Sequence, residues 1–156
     1  MNIEDFEKFI KDKVVGIPIT HMWRGYGSSI FFEIGNLSQP VELDDTGQPE
    51  GKMSIGVEGN WRIEIGNSID AGSGDHIQIL DEVLYSLSGC SISDITLFGS
   101  IPELEIIISN NCRFLSFSTT RGQPEWYIVD RTTDCERWIS IKNGVLHVGD
   151  GNEQDE

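Results

Sequence analysis

The chain carries one pattern twice, and this constrains its fold more than any other feature. The stretch "NIEDFEKFIKDKV" places Ile3, Phe6, Phe9, Ile10 and Val14 on one face at helical spacing. Asn2 is placed to cap it, acids follow in the first turn, and lysines gather near its end, as the helix dipole favours. "GDHIQILDEVLYSL" repeats the arrangement with Ile77, Leu80, Val83, Leu84 and Leu87, with Asp75 as the expected cap and Gly89 just past the end. The first four apolar positions of the two helices lie 74 residues apart. Gly16, Ile19 and Met22 then match Gly89, Ile92 and Ile95 at a shift of 73, and Ile30, Phe32 and Ile34 fall on Leu104, Ile106 and Ile108. "GQPE" at 47–50 recurs letter for letter at 122–125, and "WRIEIGNSI" lays Ile63, Ile65 and Asn67 over Ile139, Ile141 and Asn143 of "RWISIKNGV". A shift drifting from 73 to 76 is what scattered single-residue insertions produce. Two copies at this period predict an internal duplication, not a solenoid.

Each half reads as one helix followed by β-rich segments. In the second half these are "ITLFG", "ELEIIIS", "RFLSFST", "EWYIVD", "RWISI" and "VLHV", separated by turn residues. "SNNC" suits a two-residue hairpin, and "EGNW" is read the same way between "KMSIGV" and "WRIEIG". Short connections favour antiparallel pairing. The expected fold is α+β: two helix-plus-strand repeats forming one pseudo-twofold domain, an extensive antiparallel sheet or half-open barrel with two helices packed on it. That domain spans residues 1–149, with repeats of about 1–73 and 74–149, and residues 150–156 form an acidic tail expected to be disordered.

Charge narrows the function. Eleven basic against twenty-six acidic residues give a net charge of −15. Such a field repels phosphate backbones, which argues against nucleic acid, and favours encounter with a basic protein. No basic start followed by an apolar run suggests a signal peptide, and no stretch has membrane-span length, so no membrane role is expected. Cys90, Cys112 and Cys135 are odd in number and irregular in spacing, which points to reduced thiols in a cytoplasmic protein. A homodimer could form along an uncovered sheet edge.

The motifs of common chemistries are absent: no Cys-x-x-Cys, no His-Glu-x-x-His, no phosphate loop and no Gly-x-Ser-x-Gly. "GYGSSI" lacks the third glycine of a dinucleotide loop and precedes a strand where that motif needs a helix. Asp44, Asp45 and Glu50 lack the order of a calcium loop, and His21, His76 and His147 have no paired spacing, so neither a metal nor a cofactor is expected. None of the three cysteines lies in an electropositive setting that would make it a nucleophile.

The remaining candidates are aromatic residues beside arginines. "WRGYG", at 23–27, reads as a hairpin tip, and the second half has a turn at the same place, "LFGSIP". The second copy lacks Trp23, Arg24 and Tyr26, which are of the residue types enriched at binding hot spots. Trp61-Arg62 and Arg137-Trp138 fall at equivalent positions of the proposed repeats and could line a shared groove on the pseudo-twofold axis. The binding set is therefore Trp23, Arg24, Tyr26, Trp61, Arg62, Arg137 and Trp138, with no catalytic residue assigned. Trp126 is expected to pack in the core.

"GIPITHMWRGYGSSIFFEIGNL", "NWRIEIG" and "LFGSIPELEIIISNN" with "GQPEWYI" resemble a family of small bacterial cytoplasmic proteins to which no activity is attached. The resemblance spans residues 14–141 and implies no catalytic residue. Size, charge and β-rich make-up also resemble the immunity proteins of toxin systems. The expected function is a non-enzymatic protein-binding module, such as one of immunity type. The alternatives are a small-ligand-binding domain and an enzyme in which Arg24, Glu33 and His21 meet in a cleft.

Overall fold

The computed structural model describes residues 1–38, 47–109 and 111–150. The tail beyond Asp150, the loop acids Asp44 and Asp45, and Asn110 of "SNNC" lie outside these residues.

Both expected helices form. α1 (Ile3–Val14) buries Phe6, Ile10 and Val14, and the Asn2 side chain accepts from the Asp5 N–H at 2.8 Å. α2 (Ile77–Leu87) buries Leu80, Val83, Leu84 and Leu87. Its cap is His76 and not the expected Asp75: the imidazole Nδ1 accepts from Gln78 N at 3.3 Å. Asp75 instead folds back to accept the Gly72 N–H at 2.7 Å, closing the turn before the helix.

The strands are β1 (Ile19–Arg24), β2 (Ile30–Ile34), β3 (Met53–Val57), β4 (Asn60–Ile65) and β5 (Ser68–Gly72) before α2. After α2 come β6 (Ile92–Phe98), β7 (Glu103–Ile108), β8 (Cys112–Phe117), β9 (Trp126–Asp130), β10 (Arg137–Lys142) and β11 (Val145–Gly149). They build two antiparallel sheets, in the orders β1-β2-β3-β9-β10-β11 and β5-β4-β8-β7-β6. The fold is thus α+β and mostly sheet. Among the described residues the strands form two sheets and no barrel closes.

Inner-facing side chains of both sheets share one core, in which Phe32 of the six-stranded sheet meets Phe114 of the five-stranded one edge-on at 5.0 Å. The connection "EGNW" is not a hairpin. β3 pairs with β2 and β9, β4 pairs with β5 and β8, and the chain crosses between sheets at Glu58–Gly59. Gly59 leaves room there, because a Cβ would lie 3.1 Å from that of Glu125.

Each sheet therefore combines strands from both sides of α2. The order β1-β2-β3-β9-β10 has the same connectivity as β6-β7-β8-β4-β5, and β11 is additional. Contacts at the centre run in both directions. Gly16 N donates to Ile92 O at 2.8 Å, and Gly89 N to Ile19 O at 2.7 Å. Pro18 bridges Ser91, and both β1 and β6 carry a register shift after their first residue. α1 packs on β6 and α2 on β1.

Two tryptophans repeat the exchange. Trp61 on β4 donates its indole N–H to Ser28 O at 2.8 Å, and Trp126 on β9 donates to Pro102 O at 3.0 Å. Each bond runs from a buried ring to the loop opening the second strand of the opposite sheet. By sheet position, Trp61 therefore corresponds to Trp126 and not to Trp138. The match of "WRIEIGNSI" with "RWISIKNGV" does not follow this sheet correspondence, since alternating apolar strands match in any register and carry no record of their partners. Trp61→Phe and Trp126→Phe each remove one buried hydrogen bond and leave a carbonyl unpaired. Each is expected to cost about 1–3 kcal/mol in urea unfolding. A loss at one site alone would show that the two bonds do not brace the sheets alike.

Candidate functional site

The outer face of the six-stranded sheet carries a row of aromatic rings. In β2, Ile30, Phe32 and Ile34 face the core, so Phe31 and Glu33 face outward. Backbone register sets Trp23 opposite Phe31, Phe31 opposite Gly56, and Gly56 opposite Tyr127. Trp23 stacks on Phe31 at 4.0 Å, Phe31 meets Tyr127 at 6.3 Å, and Tyr127 stacks on Trp138 at 5.0 Å. Gly56 makes the row continuous: a Cβ there would lie 2.6 Å from Tyr127 Cζ and 2.9 Å from its hydroxyl oxygen, so the ring lies across bare backbone.

A polar brace ties the ends of the row together. Trp23 Nε1 donates to Glu33 Oε2 at 3.3 Å, and Trp138 Nε1 donates to Glu136 Oε1 at 2.8 Å. Arg131 joins the two carboxylates. It lies 3.1 Å from Glu136 and 4.0 Å from Glu33, donates to Ser54 Oγ at 2.6 Å, and pairs with Glu50 at 3.2 Å. Glu33 is 1% exposed although it points outward; it also accepts from the Ser54 hydroxyl and from Gly51 N. Burial raises its carboxyl above the ordinary 4.5, against the hydrogen bonds from Ser54, Trp23 and Gly51 and the charge of Arg131. Burial also pushes the Tyr127 hydroxyl well above its usual range, helped by the carboxylates of Glu58 and Glu33 and opposed by Arg131.

Beyond Tyr127 the row opens into a cleft of about 790 Å³. Tyr127 and Trp138 line it, with Glu58 and Glu125 on one side, Lys142 and His147 on β10 and β11, and Gln123 and Asn143. Asn143 N donates to Gln123 Oε1 at 2.7 Å, and Gln123 Nε2 donates to Asn143 Oδ1 at 3.2 Å, which clamps the loop before β9 to the β10–β11 turn.

Of the seven residues singled out in the sequence, the row unites only Trp23 and Trp138. Arg24 is turned to α2, where Nε pairs with Asp81 at 3.2 Å, while NH1 donates to Gly27 O at 3.2 Å. Tyr26, at the hairpin tip, is 98% exposed. Trp61 is buried, and Arg62 lies on the other sheet, 2.8 Å from Glu64 and 5.2 Å from the Phe117 ring. Arg137 points inward, 2.6 Å from the buried Asp130 and 5.0 Å from the Phe9 ring. The two Trp–Arg pairs thus form no common groove, because they occupy different sheets and opposite faces. Burial alone would raise Asp130, but hydrogen bonds from Thr132 and Arg137 and the Arg137 charge overcome it and hold the carboxyl low.

Phe31, Tyr127 and Gly56 were missed in the sequence. Their signals were an aromatic at an outward position of an alternating strand and a glycine inside "MSIGV". Arg24, Glu33 and His21 do not converge: His21 faces Glu33 across β1–β2 and binds Gln48 at 2.7 Å, while Arg24 is held by α2. Burial pushes the Cys112 thiol up to about 11, with the charges of Asp70 and Cys90 adding to the rise. Among the described residues no group of three or more His, Cys, Asp or Glu is arranged to hold a metal ion, and no helix is long and apolar enough to cross a membrane. No family, no curated protein and no solved structure matches the chain.

The raised Glu33 carboxyl makes a pH prediction. The native state binds this proton more tightly than the unfolded chain, so its contribution to stability is full below the unfolded value and is lost as pH rises through the folded one. Glu33→Gln keeps an acceptor and removes that loss. Its stability relative to wild type should therefore increase as pH rises above the ordinary carboxylate value of 4.5 in urea unfolding. A constant difference across that rise would mean Glu33 titrates as it does in the unfolded chain.

Proposed function

We propose that this chain is an internally duplicated, non-enzymatic binding module that engages a basic protein through the aromatic face of its six-stranded sheet. The observation that carries the reading is the half-buried row Trp23–Phe31–Tyr127–Trp138, its first three rings in register across Gly56, its fourth stacked on Tyr127, and continued by a cleft. Aromatic rings on a sheet face supply large contact area at low entropic cost. The net charge of −15 adds attraction for a basic partner.

The other sheet serves as an internal control. At the positions of Trp23, Phe31, Gly56 and Tyr127 it carries Thr96, Glu105, Leu115 and Arg62, also in register. Charged pairs cover that face, with Arg113 3.3 Å from Glu105 and Arg62 2.8 Å from Glu64. The scaffold alone therefore does not call for an aromatic row. Shared connectivity and the reciprocal bonds between Gly16, Ile19, Gly89 and Ile92 support the duplication. The unpaired thiols support a cytoplasmic setting. An immunity-type role, in which this face masks a basic toxin, is the form that charge and size favour. The second reading is a small-ligand domain, and the 790 Å³ cleft favours it.

The test is affinity capture from the native lysate at low salt, with salt elution and mass spectrometry. Wild type and the Arg113→Ala control are expected to retain one basic protein, and a Trp23→Ala/Trp138→Ala double variant is expected to lose it. Equal capture by the double variant would remove the aromatic face from the interaction. No capture, with thermal stabilisation by a small molecule, would favour the second reading.

A further inference from the structure

We infer that the Tyr127–Trp138 cleft receives an arginine side chain of the partner, an inference that rests on the binding-module reading and names the chemistry of its anchor. A guanidinium needs two things: an aromatic face to lie on and a carboxylate in reach of its N–H fork. This chain builds that cradle twice for its own arginines. Arg137 lies 5.0 Å from the Phe9 ring with Asp130 at 2.6 Å, and Arg62 lies 5.2 Å from the Phe117 ring with Glu64 at 2.8 Å.

The cleft presents the same pairing toward the outside. Tyr127 and Trp138 stack at 24° to one another and form an aromatic floor. Glu58 and Glu125 stand together at one wall, linked by the bond from Glu58 N to Glu125 O at 2.8 Å. The Glu125 carboxylate accepts the Thr120 hydroxyl at 2.5 Å and lies above Gly59, where a Cβ would come within 3.3 Å of Oε1. Lys142 and His147, on β10 and β11, complete the lining.

Arginine fits better than lysine. Its planar, weakly hydrated group stacks on rings and donates in a fork, whereas ammonium is a compact and strongly hydrated point charge. The volume exceeds one side chain and leaves room for the flanking backbone of an extended or looped segment.

The experiment titrates the full chain with acetyl-Gly-Arg-Gly-Arg-Gly amide and with its lysine analogue, following tryptophan fluorescence and the indole N–H resonances. The arginine peptide is expected to bind about tenfold more tightly than the lysine peptide. Trp138→Ala and Glu125→Gln should each weaken it about tenfold, and Arg113→Ala on the other sheet should leave it unchanged. Trp138→Phe keeps a ring and should retain most of the affinity, which keeps the test valid if Trp138→Ala does not fold. Equal affinity for the two peptides, or arginine binding indifferent to both Trp138→Ala and Glu125→Gln, overturns the inference. If the lysate assay yields a basic partner while the arginine peptide does not bind, this inference fails and the module reading stands. If neither binds, both fail.

Discussion

The pairing of β3 with β9 is the constraint on which the rest of the molecule depends. It joins a strand from before α2 to one from after it, and β4 with β8 does the same in the other sheet. Neither set of strands completes a sheet alone, so neither can bury its apolar face without the other. The reciprocal bonds at Gly16–Ile92 and Gly89–Ile19 fix the crossing, and each helix then lies on the first strand of the opposite set. Most of the stabilising contacts are consequently remote in sequence. That predicts slow, strongly cooperative folding in place of independent folding of the parts.

The same exchange creates the aromatic row. Trp23 and Phe31 come from the first hairpin, while Tyr127 and Trp138 come from strands more than ninety positions later. Only the β3–β9 pairing brings them side by side, and β3 contributes Gly56, the one residue small enough to let the Tyr127 ring cross it. Arg131 follows β9 directly and reaches back over β3 to Ser54, so the polar brace depends on that pairing too. Holding Glu33 buried costs desolvation, which its hydrogen bonds and Arg131 only partly offset. The effect is orientation: both outer tryptophans have their N–H groups committed to carboxylates and their ring faces fixed.

These dependencies explain what could be read from the letters. Apolar periodicity is local, so both helices and most strands were legible, and so was the hairpin at "WRGYG", where Gly25 N donates to Ser29 O at 2.8 Å. The alternation in "SIFFEIG" also told inner from outer positions. Pairing partners are not local, and "EGNW" looks like a turn whether the chain doubles back or crosses to a second sheet. The recurrence of "GQPE" likewise says nothing of partners. Gln48 binds His21, Gln123 clamps Asn143, and the two copies occupy different settings in the fold.

Arginine beside tryptophan proved a poor guide to the site for a physical reason. In an acidic chain an arginine readily finds a carboxylate, and Arg24, Arg62 and Arg137 are all held that way. Their positive charge is spent within the fold. What the six-stranded sheet turns outward is the complementary half of the contact, rings bordered by carboxylates, and it is assembled from five strands whose proximity no sequence window can display. A surface of that kind is more readily recognised by what it would attract than by any motif along the chain.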